Sequence, residues 1–225
     1  MEITRIGETC VRLKGREGSV AMDAYRTVVG PTGRGLTADI CTYSHADDDP
    51  SLRATKAEEP RLSDGLAVPV PTSLEPAFPL DAPGEYEVHG VLVTGVRTFR
   101  DDARGAARGL NVAFVVELDG LHVVHLGDLG HALTEEVAAE IGAVHVACVP
   151  LGGALPTAKA VEVVTALDAP IVVPLPVGPE GPAALERFLR EMGVTAPTAV
   201  PRLTVTISTV PAETTVIVLE EKPRT

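Results

Sequence analysis

The chain has no tryptophan, and aromatic residues make up only 3% of its 225 positions. With so little ring area available, a core has to be filled by Val, Leu, Ile and Ala. Cysteine is scarce as well. Cys10, Cys41 and Cys148 each lie in an apolar, strand-like run, and their odd number and unpaired spacing exclude a disulfide scaffold. They read as reduced, buried thiols acting as small core hydrophobes in a cytoplasm-like compartment. Positive charge is in deficit: 19 Lys and Arg face 31 Asp and Glu, a net charge of −12. That balance speaks against nucleic acid and anionic membrane surfaces as partners. No apolar run approaches membrane-spanning length, and the N-terminus begins directly in a strand pattern without an apolar targeting region. The expectation is a soluble, cytoplasmic protein.

What is present is ample apolar material. Hydrophobic residues make up 45% of the positions in a chain of 23.5 kDa, enough for one sizeable core. Residues 2–6, 9–14 and 18–23 read as short strands separated by glycine turns, the third ending in the carboxylate of Asp23. The glycines of Gly30 to Gly35 do not link a strand to a helix in the dinucleotide-binding pattern, so phosphate binding gains no support there. A strand over 37–43 follows. From 50 to 83 prolines recur at 60, 69, 71, 76, 79 and 83, which excludes long helices and central strands. That stretch reads as a surface excursion with at most one edge strand. β-rich runs over 86–99, 111–118 and 121–126 come next, the last two joined by the two-residue Asp119-Gly120 hairpin signal.

After residue 126 the period changes. A helix over 134–141 has Thr134 as N-cap and Gly142 as stop. Strand 144–149, helix 157–167, strand 170–175, helix 180–192 and strands near 203–208 and 214–219 complete the chain. β-rich segments followed by βαβα predict a layered α/β sandwich, most economically one domain over 1–225.

Two loops concentrate chemistry. Cys41 to Pro50 carries a strand into His45 and three consecutive aspartates, Asp47 to Asp49, and His125 to His131 carries another strand into Gly127-Asp128. A strand emptying into clustered ligands is how a rigid scaffold presents a metal or catalytic site. In an extended loop His45, Asp47 and Asp49, at alternate positions, face one way. The plainer alternative is a solvated turn with a helix-capping aspartate.

The order of these motifs resembles the metallo-β-lactamase superfamily, nearest to bacterial metal-dependent hydrolases of the ascorbate-6-phosphate lactonase-like branch. The carriers are Ser44-His45 with Asp49, Gly84-Glu-Tyr-Glu-Val88 after Pro83, Thr98-Phe99 before Asp101-Asp102, His125 to His131, and Gly152-Gly153. The resemblance implies a four-layer αββα sandwich of two mixed sheets, with the site along the edge where strands end. It also implies two metals held by a His-x-His-x-Asp-His loop, a downstream His, a bridging Asp after Gly and a last His after a late strand. Such a centre acidifies a bound water for hydrolysis. On that pattern His45 matches the first His, Asp49 the loop Asp and Asp128 the bridging Asp. Asp47 stands where the second His belongs, Pro50 where the loop's last His belongs, Arg100 where the downstream His belongs and Pro176 where the final His belongs.

The ligand set is therefore largely replaced. Asp47, Asp49 and Asp128, if gathered, need a cation. One divalent ion (Zn²⁺, Mn²⁺ or Mg²⁺) can sit among them with His45, or Arg100 can supply the charge and no metal is needed. The sequence favours Arg100, since buried carboxylates need a partner and Arg100 stands in the right loop. His131 is the one further histidine near the Asp128 loop, with a structural role preferred for it. Two functions follow: a catalytically impaired relative that keeps a small-molecule pocket, or a working lactone or phosphoester hydrolase in which Asp49 and Asp128 are catalytic. Exposed sheet edges allow a homo-oligomer.

Overall fold

The computed structural model describes residues 1–46, 68–195 and 197–222. In chain order its strands are β1 (Glu2–Gly7), β2 (Cys10–Lys14), β3 (Ser19–Met22), β4 (Ile40–Thr42), β5 (Phe78–Leu80), β6 (Gly84–Val88), β7 (Val91–Phe99), β8 (Leu110–Leu118), β9 (Leu121–His125), β10 (Val146–Leu151), β11 (Ile171–Pro176), β12 (Leu203–Thr204) and β13 (Thr215–Val216). The α-helices are α1 (Arg26–Val29), α2 (Glu135–Ile141), α3 (Thr157–Leu167) and α4 (Gly181–Glu191).

Strict alternation along the strands builds the layers. In β8, Val112, Phe114, Val116 and Leu118 face one side, while Ala113 and Val115 face the other. The period of two sends each set to its own core. The first set meets Leu13, Val20, Met22 and Ile40 between the sheets, and the second meets α2, α3 and α4. One sheet runs β12-β1-β2-β3-β4-β5 and the other β13-β11-β10-β9-β8-β7-β6. Both are mixed: β3, β4 and β5 pair parallel beside antiparallel β1 and β2, and β9, β10, β11 and β13 pair parallel beside antiparallel β6, β7 and β8. Helices outside both sheets complete the αββα sandwich. Among the described residues, the outer layer on the six-stranded sheet is made by α1, short 3₁₀ turns and the side chains of Tyr25, Val29, Val68 and Leu74.

Local signals account for most elements. Asp119 and Gly120 both take positive φ (54° and 74°), as the tight turn joining Leu118 to Leu121 requires. Thr134 Oγ1 accepts the Val137 N–H at 3.3 Å and caps α2. On α4, Ala184, Phe188 and Leu189 are buried, each large apolar side chain contributing roughly 1.5–3 kcal/mol.

Some boundaries differ from the sequence reading. The run 86–99 is two strands, because His89 and Gly90 at φ 54° and 86° fold it into a second hairpin. The strand over 37–43 is only Ile40–Thr42, and the late strands shrink to Leu203–Thr204 and Thr215–Val216. The edge strand of the proline-rich stretch is β5. It tolerates Pro79 because one side of an edge strand has no ladder partner to serve. No described helix is long and apolar enough to cross a membrane.

Candidate functional site

The ends of β1, β3, β4, β9 and β11 meet at one rim. Gly7 and Glu8 (φ 159° and 50°) turn the chain between β1 and β2 and leave Thr9 facing Asp23. Parallel pairing of Met22 with Thr42 sets Asp23 beside Ser44. Asp23 is fully buried and takes positive φ (52°). Its Oδ1 accepts the Ser44 N–H at 2.8 Å, and its Oδ2 accepts the hydroxyls of Ser44 (2.8 Å) and Thr9 (2.9 Å). Three donors satisfy a carboxylate that would otherwise be costly to bury. Burial first, and the Asp23 charge second, push the Tyr25 hydroxyl well above its ordinary pKa and raise that of the Cys10 thiol.

These contacts orient His45. Ser44 Oγ spends its proton on Asp23, so it accepts from His45 Nδ1 at 2.8 Å. Nδ1 therefore carries the ring proton. Tyr25 Oη donates to the His45 carbonyl (2.8 Å) and accepts its backbone N–H (2.9 Å). The histidine is clamped by a side-chain relay from Asp23 through Ser44 and by a backbone grip from Tyr25.

Across the rim stands Asp128. Asn111 on β8 donates to Leu126 O (2.9 Å) and Thr98 Oγ1 (2.7 Å) and accepts the Asp128 N–H (2.9 Å), which fixes the Gly127-Asp128 turn. Gly127 has φ 62°, and any Cβ there would run into the Ser44 side chain, so only glycine lets the two loops approach. Arg100 Nε donates to Asp128 Oδ2 at 2.8 Å, with both residues 7% exposed. Arg108 Nη2 reaches the same oxygen at 3.4 Å from a half-exposed side chain. Asp101 organises the loop that carries both arginines by accepting the N–H groups of Ala103, Gly105, Ala107 and Arg108 at 2.6–3.1 Å. The Arg108 N–H does most to hold the Asp101 carboxyl below the usual carboxylate range.

His45 and Asp128 line one cavity of about 350 Å³ with Glu8, Thr9, Tyr25, Thr27, Arg108 and Gly153. A larger hollow of about 460 Å³ lies beside β1 and β12, where Arg5 pairs with Glu221 and Arg202 with Glu2, but none of the sequence candidates lines it. The rim cavity is therefore the candidate site.

Of the sequence candidates, His45, Asp128 and Arg100 are brought to this rim, while Asp47 and Asp49 lie outside the described residues. Pro176 ends β11, and its carbonyl accepts from Arg5 Nη2 at 2.7 Å. His131 is held structurally: its Nε2 accepts the Phe99 N–H (3.1 Å) and its Nδ1 meets Ala132 O (2.7 Å). His125 donates from Nε2 to Thr9 O (2.8 Å) and accepts the Gly127 N–H (3.2 Å). Asp23 stood out in the sequence only as a strand-terminal carboxylate. Tyr25, Arg108 and Asn111 carried no signal beyond a polar residue near an apolar run.

A dinuclear metal centre needs converging imidazoles and carboxylates. Among the described residues no group of three or more His, Cys, Asp or Glu side chains converges in that way. Asp128, expected from the motif order as the bridging ligand, carries two guanidinium contacts on Oδ2. The described donors do not fit such a centre.

The chain is similar to a UPF0173 metal-dependent hydrolase of Methanoregula boonei, at 28% identity over 183 residues, 78% of this chain and 81% of the relative. It is also similar in structure to a Thermotoga maritima protein inferred to be a Zn-dependent hydrolase of the metallo-beta-lactamase superfamily. That match has a TM-score of 0.69 and 28% identity, covering 98% of this chain and 99% of the other. A diiron beta-hydroxylase from Streptomyces venezuelae shares the fold at TM-score 0.62 and 13% identity, over 92% of this chain and 54% of that one. Residues 2–176 match the beta-lactamase superfamily domain, and with the two-sheet sandwich and its rim in place the chain belongs to the metallo-β-lactamase superfamily.

Proposed function

We propose that the chain is a superfamily member impaired in catalysis, with the rim cavity kept as a small-molecule binding pocket. The observation that carries this reading is the buried Arg100 Nε on Asp128 Oδ2 at 2.8 Å. A fixed guanidinium neutralises the carboxylate where the relatives' names imply a metal, and a permanently protonated side chain cannot be a metal ligand. The net charge of −12 makes a small molecule a better occupant than nucleic acid. Cys10, Cys41 and Cys148 are buried and form no disulfide, which fits a reducing compartment.

A second reading, an active lactone or phosphoester hydrolase with one ion on His45, Asp49 and Asp128, draws on the Asp23–Ser44 grip on His45 Nδ1. Metal-ligating histidines are held in that way. Elemental analysis of protein purified without chelator, followed by Zn²⁺ and Mn²⁺ titration, separates the two. The first reading expects no stoichiometric ion, stability indifferent to chelator, and a gain of Zn²⁺ affinity in Arg100→His. One tightly held ion per chain, lost in Asp128→Ala, would overturn it and justify screening lactones and phosphoesters.

A further inference from the structure

We infer that the rim cavity takes a small-molecule oxyanion, a carboxylate or a phosphate, and that Arg108 is its clamp. The inference rests on the binding-pocket reading above and names its ligand class. Asp128 Oδ2 already has a full cationic partner in buried Arg100 at 2.8 Å. Arg108, at 3.4 Å and with its side chain 47% exposed, is a second cation on one carboxylate. Among the described residues Asp128 is the only acid within ion-pair reach of Arg108. Counted over the described residues, the Arg100–Arg108–Asp128 trio carries one net positive charge.

The Arg108 backbone is held ready for that task. Its own N–H lies 2.6 Å from Asp101 Oδ2, and Gly109 N–H closes the loop on Gly105 O at 2.9 Å. A guanidinium on a fixed backbone loses less freedom on gripping an oxyanion, and its planar fork suits two oxygens at once. The cavity of about 350 Å³ offers Thr9, Thr27 and Tyr25 around the approach, a size and lining suited to a small metabolite. Glu8 also lines the cavity, its Oε2 engaged by the Gly178 N–H at 2.7 Å. A ligand with its anionic group at Arg108 and a hydrogen-bond donor toward Glu8 matches both residues. On binding, the long Arg108–Asp128 contact gives way to the ligand, while Arg100 continues to neutralise Asp128.

The test is calorimetric titration of the metal-free protein with acetate and with inorganic phosphate, beside Arg108→Gln and Arg108→Lys. Saturable binding of one probe at one site per chain is expected. Arg108→Gln should weaken it about tenfold or more, Arg108→Lys should restore part of the loss, and added salt should weaken it. Which probe binds distinguishes a carboxylate from a phosphate ligand. No saturable binding of either probe well beyond millimolar concentration, or equal affinity in Arg108→Gln, would overturn the inference while leaving the metal-free reading intact. Anion binding that is seen only in protein purified without chelator, is lost once the metal is removed, and survives Arg108→Gln would overturn both.

Discussion

Replacing Arg100 by Met tests the electrostatics of the rim most directly. The substitution keeps an unbranched chain in place and removes only the guanidinium. Asp128, 7% exposed, then loses its 2.8 Å donor. Breaking a buried pair by deleting one partner costs roughly 3–5 kcal/mol, because the remaining charge stays buried. Arg108 offsets part of this from 3.4 Å, but its side chain is half exposed and the contact is long, so its compensation is worth at most about 1 kcal/mol. The expected loss is therefore about 3 kcal/mol, or a fall in Tm of roughly 6–12 °C for a chain of this size. Urea denaturation of wild type, Arg100→Met, Asp128→Asn and the double variant closes a cycle. Asp128→Asn in the Arg100→Met background should cost far less than in wild type, with a coupling of about 2 kcal/mol. Strictly additive effects, or a loss below about 1 kcal/mol for Arg100→Met, would refute the claim that this guanidinium neutralises Asp128.

Asp23→Ala strands two hydroxyls and a backbone N–H in a fully buried site, and should cost roughly 3 kcal/mol or more in chemical denaturation. A loss under about 1 kcal/mol would mean that those donors find other partners. His145 has its pKa lowered from 6.5, by burial first and by neighbouring His122 second. Between that lowered value and 6.5 the unfolded chain binds more protons than the folded one, so stability should fall as pH drops through this window and be indifferent above it. An NMR titration placing His145 at or above 6.5 would contradict this, and His145→Gln should flatten the slope in that window.

Much of the scaffold was legible in the sequence, for local reasons. The Asp119-Gly120 turn, the Thr134 cap, the bounds of α3 and the alternation of β8 all depend on neighbours a few residues away. Where local signals competed, the reading missed. Val-rich continuity through His89-Gly90 masked a turn that the glycine allows and that histidine, at φ 54°, accepts. His45, Arg100 and Asp128 could be singled out because each occupies a definite place in a recognisable motif order.

The sequence by itself determined most strands and helices of a layered α/β chain, because periodicity and turn residues act over short range, while the two-sheet sandwich was implied by the resemblance in motif order. Only the tertiary structure decided what the strand ends do to one another. Asp23 meets Ser44 across 21 positions, Arg100 meets Asp128 across 28, and His125 meets Thr9 across 116. Hydrogen bonds over such separations leave no trace in local pattern. Arg108 shows this most clearly. In the sequence it is one more charge in a polar loop, and it becomes a cavity wall only because Asp101 folds that loop back onto Asp128.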